Sequence, residues 1–467
     1  MSIKIYNSLS RKKEEFKPLR KGKVSMYVCG PTVYGEPHIG HVRSAYIFDV
    51  IRRYFESKKY KVKFVRNVTD IDDKIINKAK EEFKNEDINI AVKKVSEKYL
   101  KAYHECIDEL GIKKPTHEPK ATEYIKKMIA FIQKLIKKGV AYESGGDVYF
   151  DITKAIGYGK LSNQSLEMLE SGSKKDQIGI KHNQLDFALW KKAKPDERSW
   201  NSPWGQGRPG WHIECSVMSS DILGSQFDIH GGGIDLIFPH HENEIAQSEG
   251  AGGKFARYWI HNGLLTINKE KMAKSLGNFI TINELEDRGY PLDVLKLLFL
   301  QSHYSHPVDF TWERMEELKK AYERILILVD KAKGVQSGLG EEGMLMYKQQ
   351  FTEAMDDDFN AAKALAVLFD LVARCNKLLE SDQENKQFML RRGVELIKEM
   401  GGILGLSFKQ EIAKGVSVEE IDEKVKLRSE CKQKKKFDQA DSIRKDLEAK
   451  GIILEDTKDG TTWRRKL

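Results

Sequence analysis

Two histidines at the start of a predicted helix are the first residues that could do chemistry. His38 and His41 flank Gly40, after a predicted strand over residues 24–28 and before apolar residues at helical spacing up to Ser57. A helix N-terminus favours an anion because its N–H groups are free and its dipole end is positive, and two imidazoles on one face could donate to a phosphate. The pattern indicates a phosphate site; the alternative is a helix start that happens to carry two histidines.

A lysine pair on a predicted loop is the second candidate for phosphate chemistry. Lys271 and Lys274 flank small residues after a predicted strand over residues 264–267. Two cations on a mobile loop could clamp phosphate groups. A solvated turn is the alternative, because lysines are common on loops.

Two further patterns could hold a nucleotide or a metal. Glycines 231–233 follow a predicted strand over residues 227–229, and a backbone without side chains can approach a nucleotide closely; a flexible turn is the alternative. His240 and Glu244 lie four residues apart on a helix predicted to begin at Pro239, so they share one face. A pair of this kind is more often a surface pair than a metal site.

The elements that must position these residues predict an α/β fold. Their order indicates a Rossmann-type parallel-sheet domain split by an insertion, followed by a helical bundle and a small α/β C-terminal domain. The insertion shows a helix over 120–138, a short strand at 145–151 and a Trp/Pro/Gly-rich loop at 199–211. The predicted regions are 1–112 and 206–255 for the two halves of the parallel-sheet domain, 113–205 for the insertion, 256–310 for the region with the lysine loop, 311–404 for the bundle and 405–467 for the C-terminal domain.

The composition limits the class of protein. The 467 residues carry a formal net charge of +9, from 79 Lys+Arg against 70 Asp+Glu, which suits a polyanionic partner although the excess is mild. The five cysteines lie far apart without a Cys-x-x-Cys motif and no export signal precedes them, so we expect a reduced cytoplasmic chain without a disulfide framework. No apolar run reaches membrane-spanning length, so we expect a soluble protein.

The motifs in this order resemble a known family. Segments 38–41 and 271–275 resemble the two signatures of class I aminoacyl-tRNA synthetases. The features that narrow the resemblance to cysteinyl-tRNA synthetases are Cys29 and segments 211–215, 230–233 and 238–244, and the resemblance continues through segments 355–360 and 461–466. The resemblance runs essentially from end to end. One departure is Ala273, where the family's loop has serine; we expect slightly altered loop ordering and retained activity, because the lysines supply the charge.

The resemblance implies a zinc ion in an amino-acid pocket. Its ligands, carried over by motif, are Cys29, Cys215, His240 and Glu244. Such a borderline-soft ion can take a substrate thiolate as an additional ligand, whereas the hydroxyl of serine is harder and far less acidic. Selection by this bond needs no proofreading, and the insertion is short for an editing domain, so we expect no editing site.

The resemblance also implies a two-step reaction, in which cysteine is activated by ATP with Mg²⁺ and then transferred to the 3′ end of tRNA(Cys). His38 and His41, with Gly40, are expected at the ATP phosphates, and Lys274 supported by Lys271 at the departing pyrophosphate. The residues expected to line the adenosine and amino-acid side are His230, Gly232 and Asp235, and those expected to shape the cysteine pocket are Thr69 and Trp211.

By the same resemblance, tRNA contacts belong to the C-terminal half. The bundle 311–404 resembles the family's tRNA-stem bundle and residues 405–467 its anticodon-reading domain, here with a predicted basic helix over 428–450. The residues that sit where the family reads anticodon bases are Phe437, Asp441, Asp456 and Trp463. Phe437 occupies a position that is commonly Trp in the family, so stacking should persist with less area. A monomer is the family expectation.

These motifs disfavour three alternatives to a synthetase. A related ligase would transfer activated cysteine to a small amine, but the complete basic C-terminal domain argues against it. The intact histidine and lysine signatures disfavour a non-catalytic RNA-binding paralogue, and the phosphate signatures disfavour a purely structural zinc protein. Segment 74–78 resembles a lysine motif invoked for persulfide formation with pyridoxal phosphate, which we expect only as a side activity.

Overall fold

A computed structural model describes most of the chain. The described residues are 2–165, 168, 181–272, 277–332, 344–382, 386–408, 418–449, 452–457 and 460–465. Within these ranges, every helix is too short or too polar to span a lipid bilayer.

The first half of the parallel-sheet domain places the two signature histidines at the N-terminus of a long helix. Its elements are β1 (Lys4–Asn7), β2 (Lys12–Glu15), β3 (Lys23–Val28), α1 (Ile39–Ser57), β4 (Lys61–Arg66), α2 (Asp73–Glu82) and α3 (Ile88–Glu109). The strand predicted before the histidines and the helix up to Ser57 are confirmed. Most of α1 is buried, including the polar residues Arg43 and Asp49, so this helix lies inside the molecule rather than on its surface.

The insertion contains an antiparallel sheet. Its elements are α4 (Ile125–Lys137), β5 (Ala141–Ser144), β6 (Asp147–Phe150), β7 (Phe187–Lys192), β8 (Trp200–Ser202) and β9 (Gly205–Pro209), and the strand order is β5-β6-β7-β9-β8. The loop predicted over residues 199–211 is wrong, because β8 and β9 form a hairpin there. Gly205 makes the tight turn at φ 100°, a conformation that favours glycine.

The second half completes a parallel sheet with the order β11-β10-β3-β4. Its elements are α5 (Trp211–Leu223), β10 (Gln226–Gly233), α6 (Glu242–Gly250) and β11 (Phe255–Asn262). The glycines predicted to follow a strand belong to β10 itself: a Cβ on Gly231 would lie 2.3 Å from the Phe48 ring of α1, so glycine is needed where helix and strand meet. The helix predicted to begin at Pro239 is confirmed: Phe238 is extended, residues 239–241 form a helical turn, and the regular α-helix α6 continues from Glu242.

The parallel sheet extends beyond the predicted end of its second half. β11 runs from Phe255 to Asn262 beside β10, so the parallel sheet continues past residue 255, the predicted end of its second half. The region boundaries otherwise stay predictions.

A helical region follows and packs against α1. Its elements are β12 (Leu265–Ile267), β13 (Glu270–Lys271), α7 (Ile282–Asp287), α8 (Leu292–Leu300), β14 (Val308–Phe310), α9 (Trp312–Lys331), α10 (Leu345–Asp356), α11 (Ala361–Leu379) and α12 (Lys386–Ile403). Asn360 caps α11 by accepting from the backbone N–H of Lys363, as the predicted cap region implies. Asp356 accepts from the hydroxyl of Tyr54 on α1 at 2.6 Å, so the bundle is fastened to the histidine-bearing helix.

The C-terminal region has a small core of its own. Its elements are α13 (Val418–Gln433), α14 (Phe437–Ala449), β15 (Ile452–Thr457) and β16 (Gly460–Arg465), and the two strands pair antiparallel. The single helix predicted over 428–450 is wrong: Lys435 adopts φ 56° and breaks the chain into α13 and α14. Ile421, Leu447 and Ile452 pack together between these elements.

Candidate active site

The histidine turn is a compact unit at the start of α1. His38 caps the helix, with its Nδ1 accepting from the backbone N–H of Gly40 at 3.1 Å. The rings of His38 and His41 stack with centroids 3.7 Å apart. A Cβ on Gly40 would lie 2.9 Å from the His38 ring, so glycine is required there. The two imidazoles are therefore held together where the helix dipole favours an anion.

A cavity of about 170 Å³ adjoins this turn. Its lining residues are Tyr34, Gly35, Glu36, His38, His41, Met272 and Phe279. Lys271 is exposed at the end of β13 and directly precedes the lining residue Met272, so a predicted phosphate-clamp lysine lies beside the histidine turn. Lys274 and Ala273 lie outside the described residues.

Sulfur, nitrogen and oxygen donors from separate elements converge at a second place in this domain. Donor atoms of Cys29, His240, His241 and Glu244 lie within 4.8 Å of one another. Glu244 Oε1 lies 3.1 Å from His240 Nε2 and 3.7 Å from Cys29 Sγ. Cys215 Sγ lies 3.8 Å from Cys29 Sγ. The four residues predicted as metal ligands thus lie together, and His241 joins them with its Nε2 3.3 Å from Cys29 Sγ.

The spacing of this cluster fits a zinc ion. Ligand bonds of about 2.0–2.3 Å around a tetrahedral zinc place neighbouring donors about 3.3–3.8 Å apart. The separations that join Cys29, Cys215, His240 and Glu244, from 3.1 to 3.8 Å, lie close to that range. Thiolate, imidazole and carboxylate are also common zinc donors. Geometry leaves two ligand sets open, because either Cys215 or His241 could join the other three.

Glu244 and Cys215 favour their anionic forms, whereas His240 must release a proton before it can bind a metal. Burial alone would raise the pKa of Glu244, but His230 and His240 lower it to about 2. Burial would lower the pKa of His240, but Glu244 and Cys215 raise it to about 10. Burial would also raise the pKa of Cys215, yet contacts with Cys29 and His240 lower it to about 6. Glu244 and Cys215 are therefore the groups most readily ionised, which is the form that binds a metal.

A second layer of imidazoles orients the donors. The hydrogen-bonded pairs are His230 with Glu244 at 2.9 Å, His212 with His240 at 3.0 Å, and His241 with His261 at 2.8 Å. Burial lowers the pKa of His241, and it lowers that of His261 to about 3, so both rings are neutral. Partners of this kind fix the tautomer and the direction of a metal-binding side chain.

The residues predicted for the cysteine pocket lie against this cluster. Thr69 is buried and donates its hydroxyl to Glu214 Oε2 at 3.0 Å. Burial raises the pKa of Glu214 well above its usual range. The Trp211 ring lies 4.3 Å from the His240 ring and is 39% exposed, so it forms an accessible wall beside a predicted ligand.

The three residues predicted for the adenosine and amino-acid side occupy different environments. Asp235 is exposed. Gly232 is buried, and a Cβ there would lie 2.9 Å from the His241 ring, so this position must stay small. His230 is fully buried and bonds Glu244, which makes it a partner of the metal cluster. Its contact with a nucleotide stays a prediction.

The segment 74–78, singled out for a side activity, begins beside the cavity. Lys74 Nζ lies 5.1 Å from the centroid of the Tyr34 ring, and Tyr34 lines the cavity. Lys78 pairs with Glu81 at 3.2 Å. The side activity stays a prediction.

The residues predicted to read the anticodon lie in the C-terminal region, and their surroundings differ. Phe437 is 61% exposed at the start of α14, and Asp441 on the same helix is exposed. Asp456 is held by Arg428 at 2.9 and 3.1 Å. Trp463 donates its indole N–H to Asp422, which lies outside the predicted set. Their contact with bases stays a prediction.

Sequence reasoning missed His212, His241, His261 and Glu214. His241 follows a predicted ligand directly, and His212 and Glu214 lie in the same segment as Trp211, so proximity to the motifs was an available signal. His261 had no such signal, since it reaches the cluster only because β11 pairs with β10, opposite Gly232.

Comparison with known proteins identifies the family of this chain. Residues 15–320 match the family described as the tRNA synthetases class I (C) catalytic domain, and residues 350–409 match the DALR domain. A relative from Thermococcus gammatolerans named cysteine–tRNA ligase is 47% identical over 100% of this chain and 99% of its own length. A second of that name from Lysinibacillus sphaericus is 47% identical over 100% of both chains.

Solved structures agree at the level of the fold. A Mycobacterium tuberculosis methionyl-tRNA synthetase in complex with methionyl-adenylate has a TM-score of 0.62 at 14% identity, covering 82% of this chain and 90% of that one. This likeness shows a shared fold. The family match and the full-length identity go further, and the chain belongs to the cysteinyl-tRNA synthetases of class I.

Proposed function

We propose that this chain joins L-cysteine to tRNA(Cys) in two steps driven by ATP, with one zinc ion selecting the cysteine thiolate. The observation that carries the proposal is the cluster of Cys29, Cys215, His240 and Glu244 in the domain that also holds the histidine turn. A thiol-selective site and a phosphate site thereby lie in one domain of a cysteinyl-tRNA synthetase.

The zinc would be held by Cys29, Cys215, His240 and Glu244, with the set containing His241 in place of Cys215 as the alternative. When bound, zinc supplies a borderline-soft Lewis acid for which a thiolate is a far better ligand than a hydroxyl. The resemblance favours Cys215, and so does the low pKa of its thiol.

In the first step the carboxylate oxygen of cysteine attacks the α-phosphorus of ATP. The bond to the bridging oxygen breaks, which gives cysteinyl-adenylate and pyrophosphate. His38 and His41 donate to the phosphate oxygens as charge shifts toward pyrophosphate, and Lys271 and Lys274 neutralise the leaving group. Mg²⁺ accompanies ATP as part of that substrate.

The protein positions the cysteine side of the reaction through its buried residues. Thr69, fixed by Glu214, and Trp211, lying on His240, shape the pocket for the side chain. Asp235 and Gly232 would line the side shared with the nucleotide. Holding the two reactants in line supplies much of the rate enhancement in such a reaction.

In the second step the terminal ribose hydroxyl of the tRNA attacks the adenylate carbonyl. An ester forms and AMP leaves with the electron pair of its phosphate oxygen. The bundle over residues 311–404 and the region 405–467 would bind the tRNA, and the latter presents the exposed ring of Phe437 for base stacking. We place the enzyme in the cytoplasm as a monomer, and we propose that it lacks an editing site.

The test is cysteine-dependent exchange of pyrophosphate into ATP by the full-length protein, with cysteine and with serine. Exchange should be at least about 10⁴-fold faster with cysteine, because the site bonds a group that serine lacks. Removal of metal by a chelator should abolish exchange, and added zinc should restore it. Exchange that persists without metal, or equal rates with both amino acids, would overturn the proposal.

A further inference from the structure

Arg43 is a buried cation on the helix that carries the signature histidines. Its side chain is 1% exposed and lies two residues after His41 on α1. Its guanidinium donates to the backbone carbonyls of Leu264 at 2.8 Å and His306 at 2.7 Å, and also to those of Gly263 and Tyr304. Burial lowers its pKa to about 10, which still leaves it charged at neutral pH.

The partners of Arg43 are carbonyls of two loops. Within the described residues, no carboxylate forms an ion pair with Arg43, so the carbonyl dipoles are what balance its charge there. A planar fork of N–H groups can meet carbonyls that arrive from two directions, whereas a lysine ammonium is a point charge with three donors. Loss of the fork would leave buried carbonyls without donors, which is costly.

The two loops that Arg43 joins are themselves fastened to each other. Gly263 donates its N–H to the carbonyl of Tyr304 at 2.9 Å, and Val308 donates to Leu264 at 3.0 Å. A Cβ on Gly263 would lie 2.4 Å from His306, so the backbones approach as closely as glycine permits. The loops lead directly into β12 and β14, which pair in parallel from Leu265 opposite Val308.

β12 carries the connection on to the phosphate-clamp lysine. It pairs with β13 in a register that sets Thr266 opposite Lys271. The first turn of α1 meets the far side of the same segment, where the N–H of Ile39 donates to the carbonyl of Ile280 at 3.1 Å. Ser44 adds a bond from its hydroxyl to Asn262 Oδ1 at 3.0 Å. Residues of α1 therefore form hydrogen bonds with the chain before β12 and again after β13.

We propose that Arg43 is a positioning residue for the reaction, which sets the strand bearing Lys271 at a fixed place relative to His38 and His41. It acts through the carbonyls it binds and touches no substrate. The proposal rests on the proposed function, in which histidines and lysine hold the two ends of one triphosphate. A displacement of about 1 Å between such groups can cost about 100-fold in rate.

The experiment compares Arg43→Lys with Arg52→Lys in the full-length, zinc-loaded protein. Arg52 lies on the same helix and bonds Glu56 and the carbonyl of Lys114, away from both loops. Arg43→Lys should lower kcat of cysteine-dependent exchange by about 10- to 100-fold, with the KM for cysteine and the zinc content unchanged. Arg52→Lys should match the wild type.

Hydrogen–deuterium exchange of the same proteins without substrate gives a readout that does not depend on activity. Arg43→Lys should speed exchange in peptides covering residues 262–271 and 303–310 and leave the insertion unchanged. The wild type could lack cysteine-dependent pyrophosphate exchange while Arg43→Lys still speeds deuterium exchange in those two peptides. In that case the proposed function fails and the anchoring by Arg43 stands. A wild-type kcat in Arg43→Lys, or accelerated exchange throughout the chain, would overturn the positioning role.

A second, milder variant tests the positioning role if Arg43→Lys folds poorly. Ser44→Ala removes the neighbouring bond to Asn262 without disturbing a buried charge. It should lower kcat in the same direction by about 3- to 10-fold and again spare the KM for cysteine, since one neutral hydrogen bond is lost. An equal rise in the KM for cysteine would count against positioning of the phosphate side.

Discussion

The metal cluster and the histidine turn lie in the same domain but are built in opposite ways. Glu244, His240 and Cys215 are each no more than 1% exposed, and each is bonded to further buried groups. His38 and His41 are only half-buried beside a cavity, and Lys271 is exposed. One site is assembled inside the protein, and the other opens to solvent.

This difference separates two tasks of the enzyme. A buried cluster in low dielectric responds strongly when one member is removed, because the remaining polar groups lose partners and cannot turn to water. Exposed cations can be replaced in part by solvent, salt and neighbouring cations. On the proposed function, selection of the amino acid depends on buried groups, and handling of the phosphates depends on charge placed at a surface.

The largest effect is expected from changes to the candidate metal cluster. Comparing two variants there also decides between the two possible ligand sets. Cys215→Ser should lose most of the bound zinc and lower cysteine activation by more than about 1,000-fold, since a zinc ligand is gone and a buried charge loses its partner. His241→Gln should retain about one zinc per chain, with affinity weakened about 10- to 100-fold as for an outer-layer residue. Metal content is measured by mass spectrometry after dialysis against a weak chelator.

Cys375→Ser is the matched control, because Cys375 is an equally buried thiol in α11, outside this cluster. It should keep the full metal content. The opposite pattern, with zinc lost from His241→Gln and kept by Cys215→Ser, would replace Cys215 by His241 in the ligand set.

A smaller effect is expected on the phosphate side. Lys271→Ala should lower the rate of adenylate formation by about 100-fold, because one preorganised cation is lost from the transition state. The KM for cysteine and the zinc content should not change, since Lys271 is exposed on β13 and is not among the candidate metal ligands. Rapid-quench measurement of adenylate formation tests this. Lys269→Ala, an exposed lysine two residues earlier, is the control, and equal losses in both variants would contradict a specific role.

Much of the fold followed from sequence patterns, and the failures have physical causes. The strand and helix around His38 were predictable because apolar periodicity and turn residues agree there. The composition of residues 199–211 predicts a loop because tryptophan, proline and glycine obscure alternation, although β8 and β9 form a hairpin there with its turn at Gly205. The break at Lys435 was invisible, since a left-handed lysine leaves no mark in composition.

The candidate site was predictable only in part. Cys29, Cys215 and His240 come from distant segments, so their convergence followed from resemblance to a family and from no spacing rule. His261 and Arg43 could not be found in this way. Arg43 binds the carbonyl of Leu264, 221 residues further along the chain, and His261 meets His241 only because β11 lies beside β10.

The smallest effect is expected from a change in the C-terminal region. Phe437→Ala should raise the KM for tRNA(Cys) by about 10-fold, because a stacked base is lost, while cysteine-dependent exchange stays at the wild-type rate. Both sites of the first step would then be separable from tRNA recognition. Steady-state aminoacylation against tRNA concentration measures the change. Ile90→Ala, an exposed apolar residue on α3, is the control, and an unchanged KM in Phe437→Ala would remove this ring from the tRNA surface.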